Sequence, residues 1–214
     1  RHTFGKKVFK VSLNGDFTCP NKDGRSGTGG CIFCSESGSG DFSGDKSESL
    51  KSQFTTMKDM MSLKWPDAYY IAYFQSNTNT YGPIEKLKRL YYSAIELDEN
   101  IVGLSIATRP DALNDEIYDL LEDLHSKTYL IVELGLQSIH EKTSKFINRG
   151  HTLDCFTEAV KQLRKRGINV VVHIINGFHI ETPHDMLQTV HYVNTLGIQG
   201  LKIHLLHIMK KTVL

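Results

Sequence analysis

Short apolar segments alternate with amphipathic segments along nearly the whole chain, and this alternation restricts the possible folds more than any other feature. Strands that alternate with helical segments are typical of parallel α/β folds. Near-continuous apolar strands are expected where both faces of a sheet are covered. Six segments have the length and hydrophobicity of such strands: Val8–Leu13, Tyr69–Phe74, Ile101–Ala107, Tyr129–Leu136, Asn169–Ile175 and Leu201–Leu206.

The segments between the strands have helical periodicity, and several begin at residues that cap helices. Apolar residues recur at every third or fourth position, which favours amphipathic helices that cover the sheet. Ser47, Asn114 and Thr152 are the predicted N-caps. The predicted helices are Ser47–Lys64, Pro83–Leu97, Asn114–His125, His140–Asn148, Thr152–Arg166 and Pro183–Leu196.

Two architectures fit six strand–helix units, a doubly wound open sheet and a barrel. Polar or glycine residues follow most strands at their carboxyl ends, which converge on one mouth in a barrel, whereas an open sheet concentrates ligand residues at one switch point. This distribution favours a partial (β/α)6 TIM-like barrel of parallel strands with outer helices. A closed barrel of eight units needs about 250 residues. The 214 residues therefore indicate one partial-barrel domain, 1–214, with a further C-terminal portion expected beyond Leu214.

The charge balance and the lack of long apolar runs exclude several classes of protein. Lys and Arg number 25 against 24 Asp and Glu, a formal net charge of +1. This balance argues against a protein that holds nucleic acid by net charge alone, but it leaves room for a local basic patch. No apolar run approaches the roughly 20 residues that cross a bilayer, and Arg1–Gly5 lacks the shape of a signal peptide. We therefore expect a cytoplasmic protein without a membrane partner.

Three of the four cysteines lie in one polar loop, predicted over residues 14–46. Cys19, Cys31 and Cys34 form a C-x11-C-x2-C pattern just after the first strand. Thiolates bind both iron–sulfur clusters and zinc, and the glycines between Cys19 and Cys31 let the backbone wind closely around a bound group. Because buried core cysteines belong on strands and helices, this pattern predicts a metal site.

The three thiols leave two kinds of metal site open. A structural zinc ion needs four ligands, and His151, Cys155 or a carboxylate is a candidate for the fourth. A four-iron cluster on three thiolates keeps one iron free for a substrate or cofactor. No fourth cysteine or histidine lies close in sequence, which favours the cluster. Cys155 falls in the first turn of the helix predicted after Thr152, where it is interpreted as an ordinary packing residue. The alternative is a non-enzymatic, zinc-binding α/β module that interacts with RNA or protein.

Five motifs, in the same order along the chain, resemble those of one family. They are Thr-Cys-Pro-Asn with Gly-Cys-Ile-Phe-Cys, Thr-Arg-Pro-Asp, Glu-Leu-Gly-Leu-Gln-Ser, Asn-Arg-Gly-His and Lys-Ile-His-Leu-Leu-His. The family is the radical S-adenosylmethionine (SAM) superfamily, and within it the branch that contains the elongator catalytic subunit, which acts on tRNA. The chain resembles a group of short bacterial proteins of that branch most closely, from Phe4 almost to the last residue.

The resemblance implies an enzyme in which Cys19, Cys31 and Cys34 bind a [4Fe–4S] cluster. SAM would bind the remaining iron, and one electron from the cluster would cleave it to methionine and a 5′-deoxyadenosyl radical that abstracts a hydrogen atom from the substrate. The electron would come from a reductant such as flavodoxin or ferredoxin. The substrate implied by this branch is tRNA, in particular the side chain of a wobble uridine.

The resemblance also implies contacts to SAM from residues that follow the strands. The carboxylate would suit Arg109 or Arg149, because a guanidinium matches its geometry. Gln137 would contact the ribose, and a loop beginning at Gly177 would lie beside the adenine, although His179 replaces the usual proline there. A polar run takes the place of the usual glycine-rich segment that binds the SAM amino group. The residues of this run are Gln75, Ser76, Asn77 and Thr78.

Charged and imidazole side chains on the strands are the remaining candidates. Glu133 falls within the fourth strand, where a carboxylate needs a partner, and Arg109 is a candidate for that partner. A lone histidine on a strand is usually a hydrogen-bonded core residue, but several lie near the expected mouth and are candidates for substrate contact or proton transfer. These are His151, His173, His204 and His207.

Overall fold

The computed structural model describes residues 3–35, 38, 43–210 and 212–214. Its six strands form one sheet in the order β1-β2-β3-β4-β5-β6, and all neighbouring pairs are parallel. The prediction of six parallel strands is confirmed, with bounds that differ by at most one residue at either end. The strands are β1 (Val8–Leu13), β2 (Tyr69–Phe74), β3 (Ile101–Thr108), β4 (Tyr129–Gln137), β5 (Asn169–Asn176) and β6 (Gly200–Leu205).

Helices follow the strands where periodicity predicts them, and Asn114 and Thr152 cap their helices as predicted. The prediction that Ser47 caps its helix is wrong, because its hydroxyl donates to Asp45. The N-cap is Ser49, whose hydroxyl accepts from the backbone N–H of Ser52 in the first turn. A short 3₁₀ turn at Pro110–Ala112 was not predicted. The α-helices within the described ranges are α1 (Leu50–Ser62), α2 (Ile84–Ile95), α3 (Asp115–Lys127), α4 (Glu141–Phe146), α5 (Leu153–Lys165) and α6 (Pro183–Asn194).

The sheet curls strongly, and one hydrogen bond across it shows by how much. Lys202 Nζ on β6 donates to the Tyr73 hydroxyl on β2 at 3.2 Å. These strands are four positions apart, which would separate them by about 19 Å in a flat sheet with the usual strand spacing. The two side chains meet because the sheet bends around them. The architecture is therefore the half barrel that the sequence predicts, with helices outside and a concave inner face.

Residues alternate along the strands between an apolar outer face and a more polar inner face. The outer residues of β4 and β5 pack in one core with helical residues such as Leu121 and Phe156. These fully buried strand residues are Leu130, Val132, Leu134, Leu136, Val170, Val172 and Ile174. The core thus lies between sheet and helices, which leaves the inner face for polar groups.

Two further observations concern the predicted loop and the membrane. Within the predicted cysteine loop 14–46, residues 36, 37 and 39–42 lie outside the described residues. Among the helices that the structure describes, none has the length and hydrophobicity needed to span a bilayer.

Candidate functional site

The cysteine loop lies at the carboxyl ends of the strands, where it contacts two neighbouring connections. The backbone N–H of Thr78, after β2, donates to the carbonyl of Thr18 at 3.1 Å. The N–H of Ile32 donates to the carbonyl of Ile147, between α4 and α5, at 3.1 Å. Cys19 and Cys31 are adjacent in sequence to these anchored residues, so both sides of the loop are fixed to the half barrel.

Two asparagines connect the loop to the β4–α5 region. Asn148 Nδ2 donates to the carbonyls of Thr28 at 3.0 Å and Gly30 at 2.8 Å. Asn21 is fully buried, and its Nδ2 donates to the carbonyl of Asn148 at 2.6 Å. Neither residue was predicted from the sequence, although Asn21 lies in the quoted motif Thr-Cys-Pro-Asn and Asn148 in Asn-Arg-Gly-His. The signal that could have identified Asn148 is its place just before Arg149 and Gly150, in a turn whose φ of 52° asparagine tolerates better than most residues.

The three loop thiols lie close enough to influence one another. None of the four cysteines forms a disulfide, and all are partly buried. Burial raises the pKa of the Cys31 thiol to about 11; Cys34 and Cys19 add to the increase, and the positive charge of Arg109 opposes it. Asn21 Nδ2 lies 3.6 Å from Cys31 Sγ. An amide and a guanidinium beside the thiol would stabilise its thiolate form, which is the form that binds metal.

The loop reaches Cys31 through two successive glycines with left-handed backbones. Gly29 and Gly30 both have a φ of 77°, a conformation that costs little only without a Cβ atom. The N–H of Cys34 then donates to the carbonyl of Cys31 at 3.0 Å, which closes a tight turn between these two cysteines.

The two residues named as a fourth zinc ligand, His151 and Cys155, lie at the start of α5. Among the described residues, no three His, Cys, Asp or Glu side chains, the loop cysteines included, form a group that could hold a metal ion. His151 is buried with Nδ1 against the carbonyl of Thr152, and burial lowers its pKa to about 3. The backbone N–H of Cys155 donates to the Thr152 hydroxyl in the first turn of α5, and the residue is partly buried.

The polar run after β2 lies against the cysteine loop. Ser76 is buried and its hydroxyl is 2.7 Å from that of Ser43. Lys22 Nζ donates to Asn77 Oδ1 at 3.2 Å. The Gln75 Oε1 accepts from the Ser12 hydroxyl at 3.4 Å. The run therefore lies between the cysteine loop and β1, and its side chains contact both.

Arg109 and Arg149 are both buried and already engaged by protein groups. Arg109 forms a bidentate pair with Asp111 at 2.9 and 2.7 Å, and its Nη1 donates to the Arg149 carbonyl at 2.8 Å. Arg149 donates four hydrogen bonds to backbone carbonyls, and burial lowers its pKa to about 10. The acceptors are Leu136, Ser138 and His151, the last through two nitrogens.

Gln137 ends β4 in an unusual conformation. Its φ is 64°, and the N–H of Ser138 donates to the carbonyl of Leu136 across it at 2.8 Å. Such a tight left-handed turn is rare and strained in a non-glycine residue. Gln137 Oε1 is also buried, and no described residue donates to it. Strain together with an unsatisfied buried acceptor points to a ligand contact. Gly177, which follows β5 with a φ of 103°, lies against Leu206 after β6.

Glu133 has partners, but Arg109 is not one of them, so that predicted pair is wrong. Its carboxylate accepts from the hydroxyls of Ser105 at 2.7 Å and Tyr73 at 3.0 Å and from His173 Nε2 at 2.5 Å. Lys10 Nζ forms an ion pair with it from β1. Arg109 lies beyond the end of β3, where it pairs with Asp111 instead. We call the inner-face group formed by Lys10, Tyr73, Ser105, Glu133, His173, Lys202 and His204 the lumenal cluster.

The remaining predicted histidines divide between these environments. His173 and His204 belong to the lumenal cluster, with His204 Nε2 3.4 Å from His173 Nδ1. His207 is exposed after β6. Lys10 and Lys202 were not predicted from the sequence. Each of them could have been recognised as a charged residue in a largely apolar strand, at one of the alternate positions that face inward.

Comparison with known proteins agrees with this arrangement. The sequence profile of the radical SAM superfamily matches residues 23–193. The chain is 52% identical over 212 residues to YtqA of Bacillus subtilis (strain 168), covering 99% of this chain and 66% of YtqA. It is 31% identical over 107 residues to Elongator complex protein 3 of Drosophila melanogaster, covering 48% of this chain and 19% of that protein.

A solved structure shares the fold of this chain. The structure of the archaeal Methanocaldococcus infernus Elp3 superposes with a TM-score of 0.65 at 19% identity, over 97% of this chain and 48% of that one. The chain spans about two thirds of the length of the curated relatives that it matches over nearly its whole length. The profile match, which spans most of the chain, shows that the chain belongs to the radical SAM superfamily of enzymes.

Proposed function

We propose that Cys19, Cys31 and Cys34 bind a [4Fe–4S] cluster and that the protein cleaves SAM reductively to a 5′-deoxyadenosyl radical for hydrogen abstraction. When bound and reduced, the cluster supplies the electron for this cleavage. The observation that carries the proposal is the three-cysteine loop, anchored by Asn21 and Asn148 at the carboxyl ends of the strands. We further propose that a cytoplasmic flavodoxin or ferredoxin supplies the electron.

The groups around the loop fit SAM in charge and hydrogen bonding. The buried, unsatisfied Gln137 Oε1 would accept a hydrogen bond from a ribose hydroxyl. The run Gln75–Thr78 offers carbonyl and side-chain oxygens for the amino group. Arg149 keeps one N–H on Nη2 and Arg109 one on each Nη, so a carboxylate contact would use these remaining protons. Gly177 would lie beside the adenine.

Anaerobic reconstitution with iron and sulfide tests the cluster and the cleavage of SAM. We expect about four iron and four sulfide ions per chain, and formation of 5′-deoxyadenosine from SAM with a reductant. The Cys31→Ala variant should lose both, whereas Cys155→Ala is the matched control and should keep both. A colourless protein with one zinc ion per chain would support the zinc module and overturn the proposal.

We also propose that the substrate is tRNA, in particular a modified wobble uridine. The support is the partial similarity to Elongator complex protein 3 and a cleft of about 710 Å³ beside the cysteine loop. Four basic side chains line this cleft together with two acidic ones, which gives a local positive patch in a chain of nearly neutral charge. The basic residues are Lys22, Arg25, Lys46 and Lys86.

Mass spectrometry of tRNA nucleosides from cells with and without the gene tests this substrate. We expect one modified uridine to change when the gene is deleted and to be restored by the parent gene but not by the Cys31→Ala gene. An identical nucleoside profile in all strains would exclude tRNA and leave the cleavage of SAM to be tested separately.

A further inference from the structure

The lumenal cluster places one polar side chain from every strand at one level of the half barrel. From one strand to the next, each of the six residues either lies directly opposite its neighbour or is displaced by two positions toward the carboxyl end. The displacement occurs in three of the five strand pairs. This is close to the average of about one residue per strand in a tilted barrel of shear eight. The set therefore forms one layer across the lumen. Its members, in strand order, are Lys10, Tyr73, Ser105, Glu133, His173 and Lys202.

Such a layer is an unusual filling for a barrel. Layers of this kind are dominated by Val, Ile and Leu, which fill the lumen without any requirement for hydrogen bonds. A buried ion pair contributes little to stability compared with apolar side chains of the same volume. A layer that is polar in every strand is therefore better explained by contact with a polar ligand than by packing.

The charges of the lumenal cluster do not cancel. Glu133 is the carboxylate within ion-pair distance of both lysines, and the structure shows no second one for either of them among the described residues. Glu133 is already saturated, because Lys10, His173 and two hydroxyls contact its oxygens. Lys202 is more distant, with Nζ 3.6 Å from Glu133 Oε2. One ammonium is therefore in excess.

Neither imidazole can offset this excess, because an imidazole is either neutral or positively charged. Burial lowers the pKa of His173 despite the adjacent Glu133 carboxylate. Burial and the neighbouring His173 lower the pKa of His204 to about 4. His173 donates to Glu133 through Nε2, so its Nδ1 accepts from His204 Nε2. This chain of contacts fixes the orientation of His204.

The excess charge is accessible from the lumen. The Lys202 side chain is 38% exposed, whereas that of Glu133 is fully buried. His204 is two residues further along β6, on the same inner face, and is only partly buried. An ammonium on a concave, partly desolvated surface attracts and binds an anion.

We infer that Lys202 binds an oxyanion of the substrate, a carboxylate or a phosphate, on the inner face of the half barrel. Glu133 is a positioning residue, since it accepts from the Tyr73 hydroxyl, which in turn accepts from Lys202, and His204 lines the same face beside His173. The inference rests on the proposed function only in that the anion belongs to the substrate of the radical reaction. The site itself is testable with simple anions.

Thermal unfolding of the reconstituted protein at constant ionic strength tests the site. Sodium acetate and sodium phosphate are titrated separately against sodium chloride, and a bound anion raises the melting temperature saturably. Stabilisation by acetate identifies a carboxylate site, and stabilisation by phosphate identifies a phosphate site. The Lys202→Met variant should raise the apparent dissociation constant about tenfold or more, as expected for loss of a hydrogen bond to a charged group.

Three further variants distinguish binding in the lumen from general salt effects and from binding in the basic cleft. Lys161→Met, on the exposed face of α5, should respond as the parent does, which controls for general salt effects. If Lys202→Met does not fold, Lys202→Gln, which keeps a polar side chain without the charge, should weaken binding severalfold. Absence of stabilisation by both anions would overturn the inference, as would stabilisation that is lost in Lys86→Met and kept in Lys202→Met. Formation of 5′-deoxyadenosine by the same preparation shows separately whether the proposed function holds.

Discussion

The side-chain amide of Asn148 donates to the carbonyl of Gly30 at 2.8 Å, so the residue before Arg149 holds the residue before Cys31. The same nitrogen also donates a hydrogen bond to the carbonyl of Thr28. The cysteine loop and the β4–α5 connection therefore form one unit, although more than a hundred residues separate them in the sequence.

Replacing Asn148 by glycine should weaken this unit without straining the backbone. Glycine keeps the left-handed φ of 52° and removes only the side chain. We expect the free energy of unfolding to fall by about 1–2 kcal/mol and iron to be lost faster to a chelator. Chemical denaturation and timed iron analysis measure the two effects. Asn194→Gly, at the exposed end of α6, is the control, and equal iron loss in both variants would contradict this role.

Replacing Glu133 by glutamine should destabilise the half barrel at neutral pH. Although burial alone raises the pKa of Glu133, the His173 hydrogen bond and the Lys10 charge hold it well below its usual range. The resulting stability is present above the unfolded pKa of about 4.3 and is lost as the pH falls below it. We expect Glu133→Gln to cost about 3–5 kcal/mol at pH 7.

The difference in the free energy of unfolding between the parent and Glu133→Gln should decrease as the pH falls below about 4. Urea denaturation across this range measures it. Glu141→Gln is the control, because its pair with Lys145 is exposed to solvent, which screens the interaction. A constant difference at every pH would show that the carboxylate charge is not what stabilises the cluster.

His151 should make the protein less stable at mildly acidic pH. Burial lowers its pKa to about 3, so the folded protein holds this imidazole neutral while the unfolded chain protonates it. Stability should therefore decrease as the pH falls below about 6.5, before Glu133 begins to titrate. His151→Gln should reduce the change of unfolding free energy with pH by up to about 1.4 kcal/mol per pH unit. His184→Gln, at an exposed position of α6, is the control variant. An unchanged pH dependence of stability in His151→Gln would refute the assignment.

Gln137 should show opposite effects on stability and on SAM binding. Glycine at this position relieves a left-handed backbone that costs a non-glycine residue about 1–2 kcal/mol. We expect Gln137→Gly to unfold at a higher temperature and to bind SAM about tenfold more weakly, as measured by equilibrium dialysis.

Asp16→Gly is the matched control for Gln137→Gly. Asp16 also has a left-handed φ, of 51°, but lies outside the SAM residues. It should gain stability without losing affinity for SAM. If both variants bind SAM as the parent does, Gln137 has no role in ribose binding.

Local sequence patterns predicted much of the fold. The strands are apolar runs whose ends are marked by polar residues, so their predicted bounds were off by at most one residue at either end. Asn114 and Thr152 were recognised as caps from their own chemistry. Ser47 was not a cap because Ser49, two residues later, offers the same hydroxyl, and only the bond to Asp45 distinguishes them.

Long-range pairing was less accessible from the sequence. The partner of Glu133 could not be predicted, because it depends on how far the sheet curls and brings Lys10 and Lys202 across the lumen. Arg149 was singled out for a ligand carboxylate, yet it donates four hydrogen bonds that no spacing reveals, two to carbonyls at the end of β4 and two to the carbonyl of His151.

Arg149 also has an electrical consequence for any redox centre on the adjacent loop. Arg109 shares its charge with Asp111, whereas the guanidinium of Arg149 is surrounded by carbonyl dipoles and interacts electrostatically with Cys31. Net charge in the protein surroundings is one of the factors that set the reduction potential of an iron–sulfur cluster. A fixed cation favours the more negative, reduced state, so Arg149 would raise the potential of a cluster bound by Cys31 and make it easier for a weak donor to reduce.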